Sequence, residues 1–109
     1  MYVGLSRLRR GERLAAARAI QRDALAAVLG LAQTLEPERG LGRDPFAWER
    51  RFEARRPELA RELPSFMQGY ERSAASALAM LGFLERHWDV NAVMAAAIRE
   101  LGGDPEPAP

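Results

Sequence analysis

Apolar residues recur at steps of three and four along most of the chain, and strict alternation of apolar and polar positions occurs nowhere. That periodicity predicts helices throughout. The first predicted helix runs from Tyr2 to Leu35, with Ile20, Ala24, Val28, Leu31 and Leu35 as a stripe facing the core and Arg18 and Arg22 on the opposite side. Gly11 and Gly30 weaken it, and Glu36-Pro37 stops it, because the residue before a proline resists the α region. A loop from Glu36 to Arg43 follows. Asp44-Pro45 reads as an N-cap with proline at the first helical position, opening a helix to Arg56 that turns Phe46, Trp48 and Phe52 inward. Pro57 opens a short turn of helix, Glu58 to Leu63, and Pro64 closes it.

Ser65, with Gln68 three residues on, reads as a capping box for a helix reaching Trp88. Its stripe is Phe66, Tyr70, Ala74, Ala77, Leu81, Leu84 and Trp88. Met80 and Phe83 lie off that stripe and predict a second packing face, for the last helix or for another chain. The small residues from Ser73 to Ala77 admit a close neighbour. Asp89 is the predicted cap of a final helix from Val90 to Leu101, with Gly102 as its stop. The expectation is an all-α fold: an antiparallel four-helix-type bundle with one additional short helix, formed by residues 1–101 as a single domain. Residues 102–109, polar and proline-rich, are expected to form a loose tail.

Composition narrows the chemistry. The chain has 109 residues and no cysteine, which excludes disulfide scaffolds, Cys nucleophiles and thiolate metal sites. One histidine leaves no conventional His-based metal site. All 16 basic residues are arginine, against 15 acids, so the formal charge of +1 is no signature of nucleic-acid binding. Without lysine, neither a P-loop nor a Schiff base can be built. No apolar run approaches the ~20 residues that cross a bilayer, and no signal-peptide core precedes the first helix, so a cytoplasmic protein without membrane contact is expected.

The remaining candidates for chemistry are weak. Gly40-Leu41-Gly42 lacks the strand-turn-helix setting of a phosphate loop. His87 projects onto a polar face, and Glu49 and Glu53 sit among Arg51, Arg55 and Arg56, as surface pairs do. One placement strains the pattern. At ~100° per residue, Arg9 and Arg13 project onto the arc that Ile20 and Leu31 occupy further along. Two arginines do not enter a dry core unpaired. A bend at Gly11, an open end of the bundle, or acids meeting them there would each resolve the conflict, and the expectation is a polar cleft near Gly11.

Three stretches carry a resemblance. Tyr2-x-x-Leu5-x-x-Leu8-x-Arg10-Gly11-Glu12-x-x-Ala15-Ala16, then Asp44 to Pro64 (DPFAWERRFEARRPELARELP), then Tyr70 to Glu85 (YERSAASALAMLGFLE) occur in the order and spacing of one domain. They resemble the helical C-terminal domain of bacterial nucleotidyltransferase-like proteins, the relatives of aminoglycoside and lincosamide nucleotidyltransferases. In that family an α/β domain holds the nucleotide and metal through a Gly-Ser turn and paired acids, while the helical domain packs beside it and contributes to the acceptor pocket and often to a dimer contact. This chain has no Gly-Ser turn followed by Asp-x-Asp. The resemblance therefore implies a substrate-binding or accessory domain, inactive alone, with no catalytic residue, metal or cofactor of its own, working with a separate catalytic chain or domain. Arg10, Glu12, Arg51 and Tyr70 fall within the matching stretches and, with Arg9 and Arg13, form the candidate substrate-binding set. Whether Glu12 or Arg51 touches a substrate or braces the bundle stays open. The alternative is a free-standing bundle that docks on a protein partner or pairs as a homodimer, an assembly common among small bundles.

Overall fold

The computed structural model describes residues 1–36 and 49–103. Among these residues the fold is all-α, with no strand. The predicted first helix is broken. α1 spans Tyr2–Arg9 and α2 starts at Arg13. Between them Gly11 takes φ +84°, in the left-handed region that glycine enters without a Cβ clash. The Gly11 N–H bonds the Leu8 carbonyl and the Glu12 N–H bonds that of Arg7, each at 2.9 Å. These two bonds are the Schellman pattern that ends a helix.

α2 (Arg13–Arg18) passes into a π-helical segment, Ala19–Ala24, then into α3 (Leu25–Ala32) and a final 3₁₀ turn, Gln33–Leu35. A π turn closes its bonds over five residues rather than four, so it rotates everything that follows. Burial passes from Ala16 and Ile20 to Leu25, Val28, Leu29 and Ala32. Leu31 and Leu35, expected on the core stripe, are therefore turned outward.

Three single turns of helix follow: α4 (Phe52–Arg55), α5 (Pro57–Ala60) and α6 (Leu63–Phe66). Each delivers one large apolar side chain to the core: Phe52, Leu59 and Phe66. Asp44, Phe46 and Trp48, with the predicted start of that region, lie outside the described residues. Glu36 ties this region to the end of α3. Its buried carboxylate accepts hydrogen bonds from the Glu58 N–H (2.9 Å) and the Leu59 N–H (2.8 Å), capping α5. Buried Arg56 donates to the carbonyls of Gln33 (3.0 Å) and Glu36 (2.7 Å).

The helix expected from Phe66 to Trp88 is also shorter than its pattern suggested. The Ser65 hydroxyl donates to the Glu62 carbonyl instead of capping, and the Gln68 N–H goes to Ser76 Oγ at 2.8 Å. Gly69 at φ +106° turns the chain, a 3₁₀ turn covers Tyr70–Arg72, and α7 runs Ser73–His87. Tyr70, expected on the apolar stripe, is exposed. Met80 and Phe83 are fully buried, and Phe83 meets Phe66 edge-on at 5.5 Å, so the second face of α7 is filled from within the chain. α8 spans Ala92–Gly102 and is capped by Asn91, whose Oδ1 accepts the Met94 N–H at 2.9 Å; Asp89 is not its cap. Arg99 of α8 forks onto Glu85 of α7, and the bond holds the Glu85 carboxyl below its usual range.

α1 packs closely on the π segment because position 4 carries no side chain. A Cβ on buried Gly4 would stand 2.7 Å from Ile20 Cγ1 and 3.2 Å from Ala19 Cβ. Gly4→Ala is expected to lower stability by roughly 1–3 kcal/mol, the usual cost of overpacking. Gly30 lies in α3 with nothing within 4 Å of its Cβ position. Gly30→Ala should raise stability by about 0.5–1 kcal/mol. Denaturant melts of the two variants check both signs.

Candidate functional site

The polar cleft lies where α1 turns into α2. It is open, measures about 410 Å³, and is lined by Leu8, Arg13, Tyr70 and Glu71. Arg13 comes from the first turn of α2, immediately after the Gly11 turn. Tyr70 and Glu71 come from the 3₁₀ turn that precedes α7. All three polar groups are exposed, and among the described residues neither Arg13 nor Glu71 forms an ion pair. The cleft thus presents a guanidinium, a carboxylate and a phenol against one leucine wall. A hydroxyl- and amine-bearing molecule can be bound by such a set through charge-assisted hydrogen bonds.

The far wall of the cleft is held by Gln21, a residue of the π segment. Its Nε2 donates to the Gly69 carbonyl at 2.7 Å and to Ser73 Oγ at 3.0 Å, while its Oε1 accepts the Gly69 N–H at 2.8 Å. Both backbone groups of the residue before Tyr70 are therefore fixed by one side chain. Ser76 Oγ holds the Gln68 N–H, and Arg72 Nε bonds Gln68 Oε1 at 2.9 Å. Neither Gln21 nor Glu71 was a candidate in the sequence. A glutamine between Ile20 and Arg22 carries no signal of its own.

Arg13 and Tyr70 are the two candidate residues that meet in the cleft. Arg9 is engaged elsewhere: its Nε donates to the Leu101 carbonyl and its Nη2 to that of Glu100, both at 2.9 Å. It thus satisfies the carbonyls at the negative end of α8, where a cation is favoured. The conflict of Arg9 and Arg13 with the core arc is resolved by the break at Gly11, which leaves both side chains outside the core. Arg10 and Glu12 pair with each other at 3.2 Å across the Gly11 turn. Arg51 sits at the start of α4, in the left-handed region at φ +60°, outside the cleft lining. His87 is exposed, its ring 4.7 Å from that of Phe83. Among the described residues no three His, Cys, Asp or Glu side chains are grouped to hold a metal ion, and no helix is long and apolar enough to cross a membrane. Comparison of the chain with known protein families, with curated proteins and with solved structures returns no match.

Two outcomes follow from these contacts. Gln21→Ala is expected to cost about 1–3 kcal/mol by stripping Gly69 and Ser73 of their partner, and to speed amide exchange at Gly69 beyond the global change. Arg9→Ala should lower stability by roughly 1 kcal/mol through the loss of its carbonyl bonds on α8, whereas Arg13→Ala should leave the melting temperature nearly unchanged. Thermal melts and hydrogen exchange on the three variants check both.

Proposed function

We propose that the chain is the helical accessory domain of a nucleotidyltransferase system, binding the acceptor substrate for a catalytic domain or chain that supplies the nucleotide and metal site. The scaffold we read as a four-helix-type bundle of α1, α2–α3, α7 and α8, working in the cytoplasm. The observation that carries the reading is the meeting of Arg13 and Tyr70 in one open polar cleft, joined there by Glu71. The opening motif around Gly11 and the motif that starts at Tyr70, distant in sequence, are the two walls of that cleft. The Gly11 turn swings Arg13 toward Tyr70, and Arg10 and Glu12 flank it. Arg51 stands apart and is read as a residue of the fold. Transfer itself is assigned to the partner: the chain's own role is to hold the acceptor.

The expected result is binding without turnover. Titrating the chain with aminoglycoside or lincosamide acceptors should shift the NMR signals of Arg13, Tyr70 and Glu71, with no nucleotide transferred in the presence of ATP and Mg²⁺. Arg13→Ala or Glu71→Gln should weaken binding about tenfold, equivalent to roughly 1.4 kcal/mol, with the melting temperature unchanged. Shifts confined to residues outside the cleft, or transfer by the chain alone, would overturn the reading.

A further inference from the structure

A second surface lies away from the polar cleft. Between α3 and α8 runs an open groove of about 430 Å³, with Ala27 and Leu31 on one wall, Leu81 and Leu84 beneath, and Met94 and Ile98 on the other wall. All eleven residues lining it have uncharged side chains, Met1 also bearing the α-amino group. α3 has no polar side chain, yet Ala26, Ala27, Gly30 and Leu31 are exposed along it. This face is the consequence of the π segment, which rotates Leu31 and Leu35 out of the core.

The exposed apolar area can be compared with what a stable pairing needs. Of the lining residues Tyr2, Leu31 and Met94 are 46, 56 and 46% exposed, and beyond the lining Leu35, four residues on from Leu31, and Val93, next to Met94, are 42 and 80% exposed. At ~170 Å² for a large apolar residue, they offer about 450 Å². An interface of standard size buries ~800 Å² per partner, of which somewhat more than half is non-polar, or again about 450 Å². The face thus supplies the apolar share of one ordinary interface. Its shape contains both halves of a self-complementary contact: a groove, and beside it the Val93–Met94 edge of α8. A two-fold dimer requires a knob and a hole on the same patch of each subunit. Arg99 and Glu85, which share an adjoining hollow with the groove residue Val90, pair with each other, so a second copy meets no net charge from them. A strongly acidic or basic partner finds no complement here.

We propose that this face pairs with the same face of a second copy of the chain, the Val93–Met94 edge of each α8 entering the groove of the other. The small side chains of Ala26, Ala27 and Gly30 let the two backbones come close. The polar cleft is not part of the contact, so the pairing stands or falls separately from the acceptor-binding reading.

Sedimentation velocity on the full chain tests the proposal. The wild type is expected to run as a dimer at about 50 µM, and Leu31→Glu or Met94→Arg to raise the dimer dissociation constant at least ~100-fold, as central contact residues do. Both positions are exposed, and an unchanged helical spectrum and melt confirm that the variants fold. Leu14→Glu, at an exposed leucine of α2 outside the groove, should leave the dimer intact. Mixing the Leu31→Glu and Met94→Arg chains should restore dimers, because each glutamate then faces an arginine. A wild type that stays monomeric to about 200 µM, a dimer that Leu31→Glu leaves unchanged, a dimer that Leu14→Glu abolishes equally, or variants that fail to pair on mixing would each overturn the proposal. So would a monomer that gains mass only on addition of a separate protein.

Discussion

The π-helical segment Ala19–Ala24 governs more of this molecule than any other stretch. π turns are rare because their bonds are poorly shaped, and they persist where they aim a residue that a regular helix could not. Here four side chains are aimed at once. Ile20 goes into the space that Gly4 leaves open on α1, Gln21 goes onto the backbone of Gly69, and Leu25 and Leu29 turn toward the core in place of Leu31. The three hydrogen bonds of Gln21, each worth ~0.5–1.5 kcal/mol net, help offset the cost of the irregular turn. Remove the extra residue of this turn and the core face of α3, the wall of the cleft and the apolar groove all lose their positions together.

A second theme is that charged side chains are spent on backbone groups as well as on each other. Arg9 covers the last carbonyls of α8, Glu36 covers the first amides of α5, and Arg56 closes carbonyls at the end of the first helical run. These are the orphan groups that every helix end carries, and a fold made of many short helices has many of them. Exposed ion pairs such as Arg61 with Glu58 contribute little by comparison. An arginine is suited to this work: its fork of donors reaches two carbonyls at once, as Arg9 does on α8. The abundance of arginine therefore bears on how short helices are joined.

Helical character was legible throughout, because periods of three and four survive any local irregularity. Phe52, Phe66, Ala77 and Leu81 were correctly read as core from that period alone. The breaks were less legible. Gly11 looked like a mild defect within one helix, since Arg10 and Glu12 are both good helix formers; only the paired bonds to Leu8 and Arg7 make it a terminus. Ser65 and Gln68 had the spacing of a capping box, but Gly69 in the left-handed region took the chain out of helix just beyond them. Asp89 was read as the cap of the last helix, and the later start of α8 gives that role to Asn91. The π segment left no trace in composition, so the stripe of α3 was set one residue out of phase, at Ala24 and Leu31 rather than Leu25 and Ala32, with Val28 common to both. Of the site, Arg13 was legible as a misfit on the core arc. Gln21 was not, because its role depends on a residue far away in sequence.

The polar cleft and the apolar groove share two elements and no lining residue. α1 ends at the cleft with Leu8 and begins at the groove with Met1 and Tyr2, so the surfaces are separated by most of a helix, about 9 Å at 1.5 Å per residue. The π segment touches both, Gln21 bracing the cleft wall and Ala24 lining the groove. A polar ligand gains little in the groove, whose side chains are uncharged and mostly aliphatic, and an apolar surface gains little in a cleft whose guanidinium and carboxylate would lose water without compensation. Two surfaces of opposite chemistry on one rigid frame can be filled at the same time. Energetic coupling between them would need an element with two alternative arrangements. Both shared elements are pinned: α1 and the π segment to each other by the close fit of Gly4 on Ile20, and the π segment also by the three bonds of Gln21. The frame therefore favours independent occupation: each surface does its own work, and the π segment holds them at a fixed distance from one another.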